Sequence, residues 1–138
     1  MFICTGNSCR SQMAEGVTRG LGGESVEVFS AGLEPAGLNP RAVQVMAEIG
    51  IDISAHTSKP IDSVLLRTMD VVVTLCGDAE ERCPAVPGPA RRLHWPLPDP
   101  ARAQGSEEEI LTVFRRVRDD IRHRVTELLL TEIQDPPR

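Results

Sequence analysis

Three features are missing from this 138-residue sequence, and each absence argues against a class of protein. No apolar segment approaches the length of about 20 residues that spans a bilayer, so a membrane protein is not expected. No run of basic residues stands out and the formal net charge is −5, which argues against nucleic acid as a partner. The first residues lack a basic segment followed by a long apolar core. No signal peptide is therefore predicted, and the expected location is the cytoplasm.

The length and the ordinary apolar fraction predict a single domain over residues 1–138, which we expect to be a monomer. Predicted strands cover residues 1–3, 25–30, 71–75 and 91–95. Predicted helices cover residues 11–21, 40–49 and 63–68, and a long fourth helix begins at a capping box formed by Ser106 and Glu109. Because strands alternate with helices, the expected fold is α/β, with a four-stranded parallel sheet flanked by helices on both faces.

The most informative segment follows the first strand and reads Cys4-Thr5-Gly6-Asn7-Ser8-Cys9-Arg10-Ser11. A tight turn of small residues between a strand and a helix N-terminus directs several backbone N–H groups at one point, which attracts negative charge. Arg10 adds a planar fork of donors that fits two oxygens of a phosphate-like group. Residues 5–11 are therefore predicted to bind a tetrahedral oxyanion.

Cys4 lies at the mouth of this loop, where the positive field favours the thiolate, the nucleophilic form of cysteine. The ordinary alternative is that Cys4 is a buried core thiol and Arg10 a surface residue. The strand, turn and helix around the segment favour the catalytic interpretation.

Two further cysteines follow the third predicted strand: Cys76 directly after it, and Cys83 seven residues later in a predicted loop, residues 77–90. Parallel strands end at one edge of the sheet, so Cys4 and Cys76 should share that edge. Three such thiols suggest a relay in which one attacks a substrate, a second forms a disulfide with it, and the third passes the disulfide to a reductant. Two unrelated loop cysteines are the alternative. A zinc site that includes Cys9 or His94 is disfavoured by the spacings, and no metal site is predicted.

Asp99 lies between Pro98 and Pro100, after the last predicted strand. A carboxyl group in a rigid loop near the anion site can act as a general acid. Prolines beside an aspartate are equally typical of ordinary turns, so both interpretations stay open.

Taken together, these motifs resemble those of the thioredoxin-coupled arsenate reductases within the low-molecular-weight protein tyrosine phosphatase superfamily. The resemblance extends over nearly the whole chain. Beyond residues 4–11 it rests on Gln12-Met13-Ala14-Glu15-Gly16, Ser30-Ala31-Gly32, Val73-Thr74-Leu75-Cys76-Gly77-Asp78, Cys83-Pro84, His94-Trp95 and Asp99-Pro100. The loop alone fits both branches of the superfamily, and the Cys76/Cys83 pair selects the reductases.

The resemblance implies a reaction sequence. Cys4 attacks arsenate held by the loop amides and Arg10, while Asp99 protonates the departing oxygen. Cys76 then attacks Cys4 in the arsenic adduct, so that arsenite leaves and a Cys4–Cys76 disulfide forms. Cys83 attacks Cys76 in turn, and thioredoxin reduces the resulting Cys76–Cys83 disulfide. Phosphate and sulfate are the expected competing oxyanions.

The resemblance also implies supporting roles. Ser11 would hydrogen-bond the Cys4 thiolate, Asn7 would hold the strained shape of the loop, and Cys9 would pack behind it without a redox role. No tightly bound cofactor is expected. Some family members bind potassium near the loop through side chains that match Asn7, Glu15, Ser30 and Thr57 and an aspartate two residues after the threonine. Lys59 occupies that last position, and its ammonium can take the place of the cation, so no functional potassium site is predicted.

Two other functions compete with the reductase. The nearer is a phosphatase for phosphotyrosine or small phosphomonoesters, in which water replaces Cys76 as the second attacker. The family's phosphatases follow the Asp-Pro pair with tyrosines, whereas this chain has Ala101 there and no tyrosine anywhere. Weak phosphatase activity is still expected from the shared loop. A non-catalytic arsenite or redox sensor leaves the anion loop and Asp99 unexplained. Thioredoxin is the expected reductant, with glutaredoxin or a small thiol as alternatives.

Overall fold

The computed structural model describes residues 1–77 and 90–134, with side chains to residue 132. In chain order its elements are β1 (Phe2–Cys4), α1 (Arg10–Gly22), β2 (Ser30–Gly32), α2 (Pro40–Ala47), α3 (Ser63–Leu66), β3 (Val71–Thr74), β4 (Arg91–His94) and α4 (Glu107–Gln134). Single 3₁₀ turns cover Gly23–Ser25 and Pro100–Arg102. The four strands form one parallel sheet in the order β2-β1-β3-β4. The predicted α/β class and the four-stranded parallel sheet are confirmed.

Strand β1 lies in the interior of the sheet, where Phe2 is opposite Ser30 on one side and Val73 on the other. All four strands point the same way, so their carboxyl ends meet at one edge. Cys4 and Gly32 are a paired position at that edge, and Cys76 follows β3 by two residues. The sheet therefore brings the predicted oxyanion loop and the second thiol to the same side of the molecule.

The predicted second strand is wrong in its position. The alternating pattern placed it at residues 25–30, whereas β2 covers Ser30–Gly32 and is preceded by a 3₁₀ turn at Gly23–Ser25. The described partner of β2 is β1, and their register starts with Phe2 opposite Ser30. Residues 26–28 precede the first paired position, so they do not lie opposite β1. Alternation of side chains shows which residues are half-buried but does not show where pairing begins.

The helix boundaries follow from caps that the sequence carries. Ser106 and Glu109 form the predicted capping box, with the Glu109 amide donating to Ser106 Oγ at 3.1 Å and the Ser106 amide to Glu109 Oε1 at 3.3 Å. Helix α2 starts after Asn39, whose side chain accepts from the Arg41 amide. It ends at Ala47, two residues earlier than predicted, because the chain turns back through Gly50 at a φ of 77°.

Helices α1, α2 and α4 pack against one another and cover a core that includes the buried interior of the sheet. One face of α4 is apolar and buried through Phe114, Val117, Ile121 and Val125. Within the described residues, no helix has both the length and the apolar character that a membrane crossing requires.

Candidate active site

The loop between β1 and α1 turns its carbonyl groups away from its centre. The carbonyls of residues 4, 5, 6 and 8 accept hydrogen bonds of 2.8–3.2 Å from the backbone amides of Leu33, Glu34, Ala36 and Asn39, in that order. Ser58 Oγ also donates to the Gly6 carbonyl at 2.8 Å, and Gln12 Nε2 donates to the Asn7 carbonyl at 3.1 Å. The segment 33–39 thus supports the loop from outside, residue by residue.

The amide N–H groups of the loop are left for a ligand. In the described part of the chain, no acceptor takes a hydrogen bond from the backbone N–H groups of residues 5–10. Helix α1 begins at Arg10, so its unpaired first-turn N–H groups and its dipole add to the same positive region. Such a group of uncommitted main-chain donors has the chemistry that binding a tetrahedral oxyanion requires.

The conformation of the loop depends on Asn7, whose φ of 49° lies in the left-handed region. Its side chain is fully buried and bonded on every side: Nδ2 donates to Ser11 Oγ at 2.7 Å and to Ser30 Oγ at 3.0 Å, while Oδ1 accepts from the Lys59 amide and from Gln12 Nε2 at 3.0 Å each. These bonds offset the strain of an unusual backbone angle in a residue other than glycine.

Ser11 connects this network to Cys4, the predicted nucleophile. Its Oγ lies 2.9 Å from Cys4 Sγ and accepts from Asn7 Nδ2, so its own hydrogen is free to point at the sulfur. Cys4 itself is only 2% exposed, at the end of β1.

Gln12 and His56 form a second layer of support that the sequence did not reveal. Gln12 is fully buried, and its Nε2 faces the carbonyl and side-chain oxygens of Asn7 and the Thr57 carbonyl. Its Oε1 therefore faces His56 Nδ1 at 3.1 Å, which makes Nδ1 the protonated nitrogen of the ring. His56 Nε2 then accepts from Arg19 Nη1 at 3.4 Å. Burial lowers the pKa of His56, which favours this neutral tautomer. A glutamine in the first turn of a helix that follows an anion loop was the available signal.

A buried carboxylate, Glu15, balances the cations in this region. Burial alone would raise its pKa, but hydrogen bonds from Ser30 and Arg19, together with the charges of Lys59 and His56, outweigh burial and lower it. Lys59 Nζ lies 3.0 Å from the Thr57 carbonyl, 3.4 Å from Ser30 Oγ and 3.7 Å from Glu15 Oε1. A potassium ion bound by these oxygens would lie against the ammonium, so the residues present do not fit that ion.

Cys9 lies behind the loop and is buried. Burial, followed by the charges of Asp99 and Cys4, raises the pKa of the Cys9 thiol to about 12. A thiol with such a pKa is neutral near pH 7 and is a poor nucleophile, which separates Cys9 from Cys4 despite their closeness in the sequence.

Cys76 reaches the loop through Thr5. The sulfur of Cys76 lies 3.2 Å from Thr5 Oγ1, and the cysteine is 8% exposed. Thr5 is the residue after Cys4, so this contact ties the segment after β3 to the residue next to the nucleophile. Cys4, Cys9 and Cys76 are all thiols here. Thr5 was predicted only as part of the anion loop, and its contact with Cys76 was not anticipated.

Asp99 lies at the mouth of the loop. Its Oδ1 accepts from the Ala101 amide at 3.0 Å and caps the 3₁₀ turn Pro100–Arg102. Its Oδ2 lies 3.8 Å from Arg10 Nη2, and the side chain is 31% exposed. Arg10 is fixed by a second contact, from Nη1 to the Leu97 carbonyl at 3.1 Å. Asp99 thus forms the turn that its flanking prolines suggested, and its Oδ2 lies beside Arg10; its role as a general acid stays a prediction.

The structure brings together Cys4, the loop residues 5–11, Cys76 and Asp99. Cys83, the third predicted thiol, lies outside the described residues. Among the residues described, no group of three or more histidine, cysteine, aspartate or glutamate side chains is arranged to hold a metal ion.

Comparisons with known proteins show the family of this chain. The family model for low molecular weight phosphotyrosine protein phosphatase matches residues 1–136. The arsenate reductase of Bacillus subtilis (strain 168) is 56% identical over 94% of both chains. A solved arsenate reductase in a phosphate-binding state superposes with a TM-score of 0.78 at 39% identity, over 95% of both chains. The thioredoxin-dependent arsenate reductase of Corynebacterium glutamicum superposes with a TM-score of 0.72 at 32% identity, over 94% of this chain and 61% of that one. The chain belongs to the low-molecular-weight phosphotyrosine protein phosphatase family and is similar to its arsenate reductases.

Proposed function

We propose that this protein reduces arsenate to arsenite, starting with nucleophilic attack by Cys4. The observation that carries the proposal is the second thiol at the rim of the anion loop, Cys76, held 3.2 Å from the hydroxyl of Thr5. A phosphatase needs the loop, Arg10 and a general acid but has no use for a thiol beside the nucleophile. Similarity to proteins named arsenate reductases at 56% identity supports the same function.

In the first step, the Cys4 thiolate attacks arsenic, and an arsenate oxygen leaves as water after accepting a proton from Asp99. The loop amides and Arg10 hold the remaining oxygens, and charge that develops on them is met by donors already in place. To engage the anion, Arg10 Nη2 exchanges its 3.8 Å contact with Asp99 for an arsenate oxygen, while Nη1 keeps its bond to Leu97.

In the second step, Cys76 attacks Cys4 sulfur. The electron pair of the sulfur–arsenic bond passes to arsenic, which leaves as arsenite, and a Cys4–Cys76 disulfide forms. Cys83 then attacks Cys76, Cys4 returns to the thiolate, and the Cys76–Cys83 disulfide is reduced by thioredoxin. The neutral thiol of Cys9 takes no part in this exchange.

The test is a coupled assay with arsenate, thioredoxin, thioredoxin reductase and NADPH, run on the wild type, Cys76→Ser and Cys83→Ser. We expect continuous NADPH oxidation with the wild type, about one arsenite per molecule and a trapped Cys4–Cys76 disulfide with Cys83→Ser, and no arsenite with Cys76→Ser. If Cys83→Ser turns over repeatedly at the wild-type rate, the three-thiol relay is wrong. Replacing thioredoxin with glutaredoxin and glutathione in the same assay identifies the reductant.

Asp99→Asn separates an enzyme from a sensor. An enzyme that needs Asp99 as its acid loses roughly 10²-fold or more in turnover and still binds oxyanion, whereas a thiol sensor keeps its response. Weak hydrolysis of p-nitrophenyl phosphate is a second expected activity, because the same loop and Asp99 serve that chemistry. Phosphate and sulfate should compete with arsenate, and we propose that the protein works as a monomer in the cytoplasm.

A further inference from the structure

The overall charge of the protein opposes the capture of an anion. The formal net charge is −5, so a dianion that approaches from solvent meets a repulsive average field. Local cations must overcome that field at the mouth of the site. Only an arginine that is not already neutralised by a carboxylate can serve this purpose.

Most ion-paired arginines are already neutralised at close range. Six arginines in the described ranges make ion pairs of 3.0 Å or shorter with carboxylates, namely Arg19, Arg41, Arg91, Arg115, Arg118 and Arg124. Arg10 and Arg102 differ from them. Each lies 3.8 Å from the same oxygen, Oδ2 of Asp99, so one carboxylate oxygen faces two guanidinium groups and neutralises neither fully.

These two arginines lie at different depths. Arg10 is the inner one, with a side chain 10% exposed and Nη1 fixed on the Leu97 carbonyl. Arg102 is the outer one, with a side chain 88% exposed. Its backbone is fixed relative to Asp99, because Asp99 caps the 3₁₀ turn that ends at Arg102. The turn thus places an exposed cation beside the carboxylate at the mouth of the site.

We propose that Arg102 is the capture residue of the oxyanion site. Its exposed guanidinium attracts small divalent oxyanions, such as arsenate and phosphate, to the mouth of the loop, where Arg10 then binds them. This inference rests on the proposed oxyanion chemistry at Cys4. When an anion enters, Arg10 Nη2 leaves Asp99 for the anion. Arg102 then remains as the cation beside Asp99 and keeps positive charge at the mouth of the site while the anion enters.

An exposed cation of this kind acts on the rate of encounter and not on the chemical step. Its effect should therefore appear in kcat/KM, not in kcat, and should shrink as salt shortens the screening length from about 30 Å at 0.01 M to about 3 Å at 1 M. A purely structural role, in which Arg102 holds Asp99 in place, would lower kcat at every salt concentration instead.

The experiment compares Arg102→Gln and Arg102→Lys with Arg122→Gln. The control loses the same charge from an exposed position on α4, about 22 Å along the helix from Glu107. Two readouts are measured at low and high salt: kcat/KM for arsenate, and protection of Cys4 from iodoacetamide by inorganic phosphate. The second readout needs no reduction of arsenate. If the wild type binds phosphate but reduces no arsenate, the proposed function fails while the role of Arg102 is still measured.

We expect Arg102→Gln to lose about three- to fivefold in kcat/KM and in phosphate protection at low salt, and less than twofold at 0.5 M salt. Arg102→Lys should stay within twofold of the wild type, since it keeps the charge, and Arg122→Gln should behave as the wild type. Equal behaviour of Arg102→Gln and Arg122→Gln overturns the proposal. So does a loss that does not change with salt or that appears in kcat.

Discussion

Replacing Gly32 with alanine tests whether the anion loop depends on its backbone geometry. Gly32 ends β2 opposite Cys4, and a Cβ at this position would lie 2.8 Å from both the Asn7 amide nitrogen and the Thr5 carbonyl oxygen. Both are backbone atoms, which cannot rotate away as a flexible side chain can. Since non-bonded heavy atoms prefer separations of about 3.5 Å, the loop or β2 must move by roughly 0.5 Å or more.

The size of that shift sets the expected effects. Overpacking of this kind costs about 1–3 kcal/mol, or about 3–10 °C in Tm for a domain of this size. A misplacement of about 1 Å in a catalytic constellation can cost about 100-fold in rate. We therefore expect Gly32→Ala to lose at least tenfold in kcat/KM for arsenate and to bind phosphate more weakly.

Gly20→Ala is the matched control. A Cβ at Gly20 would lie 3.6 Å from Ile51 Cδ1, which is an ordinary contact, and Gly20 lies within α1. Alanine is favoured over glycine inside a helix by about 0.8–1 kcal/mol, so this variant should be more stable than the wild type and equally active. The measurements are thermal unfolding and steady-state kinetics. Activity of Gly32→Ala within twofold of Gly20→Ala would refute the dependence of the site on this close approach.

Two further predictions concern the charged cluster beside the loop. The Lys59 ammonium lies among the oxygens that would hold a potassium ion. Arsenate turnover of the wild type should therefore differ by less than twofold between potassium chloride and sodium chloride at equal ionic strength. A clear gain in potassium would contradict this prediction. Burial lowers the pKa of His56 below that of a histidine in the unfolded chain. Above about pH 6.5 the histidine is neutral in both states, and its contribution to stability is complete. That contribution is lost as the pH falls below this value, because the unfolded chain then binds the proton first. Thermal unfolding measured from pH 7.5 to 5.5 should show that Tm of the wild type falls with pH. Tm of His56→Asn, which keeps a donor toward Gln12, should fall less. Identical slopes would contradict a lowered pKa of His56.

Local patterns predicted the parts of this site that are local in the chain. The strand, turn and helix around Cys4, the thiol after β3 and the aspartate between two prolines are each written within a few residues. Because the strands are parallel, these three features meet at one edge of the sheet. The position of β2 could not be read in the same way, because it depends on the register with β1.

Contacts between distant segments could not be predicted from the sequence either. Arg118, on α4, is 8% exposed and donates to the Val45 carbonyl at 2.9 Å. Gln12 and His56 meet only because the segment after α2 folds back over the loop. Nothing in either local sequence indicates these partners, since each arises from the packing of elements dozens of residues apart.

The segment 33–39 fixes which kinds of sequence change can alter the substrate range of this protein. In the proposed function the oxyanion is bound by main-chain N–H groups, and the loop carbonyls, which point the other way, are held by amides of the segment 33–39. Every amino acid except proline supplies the amides of residues 33–39, so substitutions in that segment act on the loop chiefly by distorting its backbone. Among the described residues, the exposed Ala101 and Arg102 at the mouth of the site can be changed without such damage, so selectivity among oxyanions and their esters can be tuned there. Directed evolution toward a new substrate should therefore accumulate its useful mutations there.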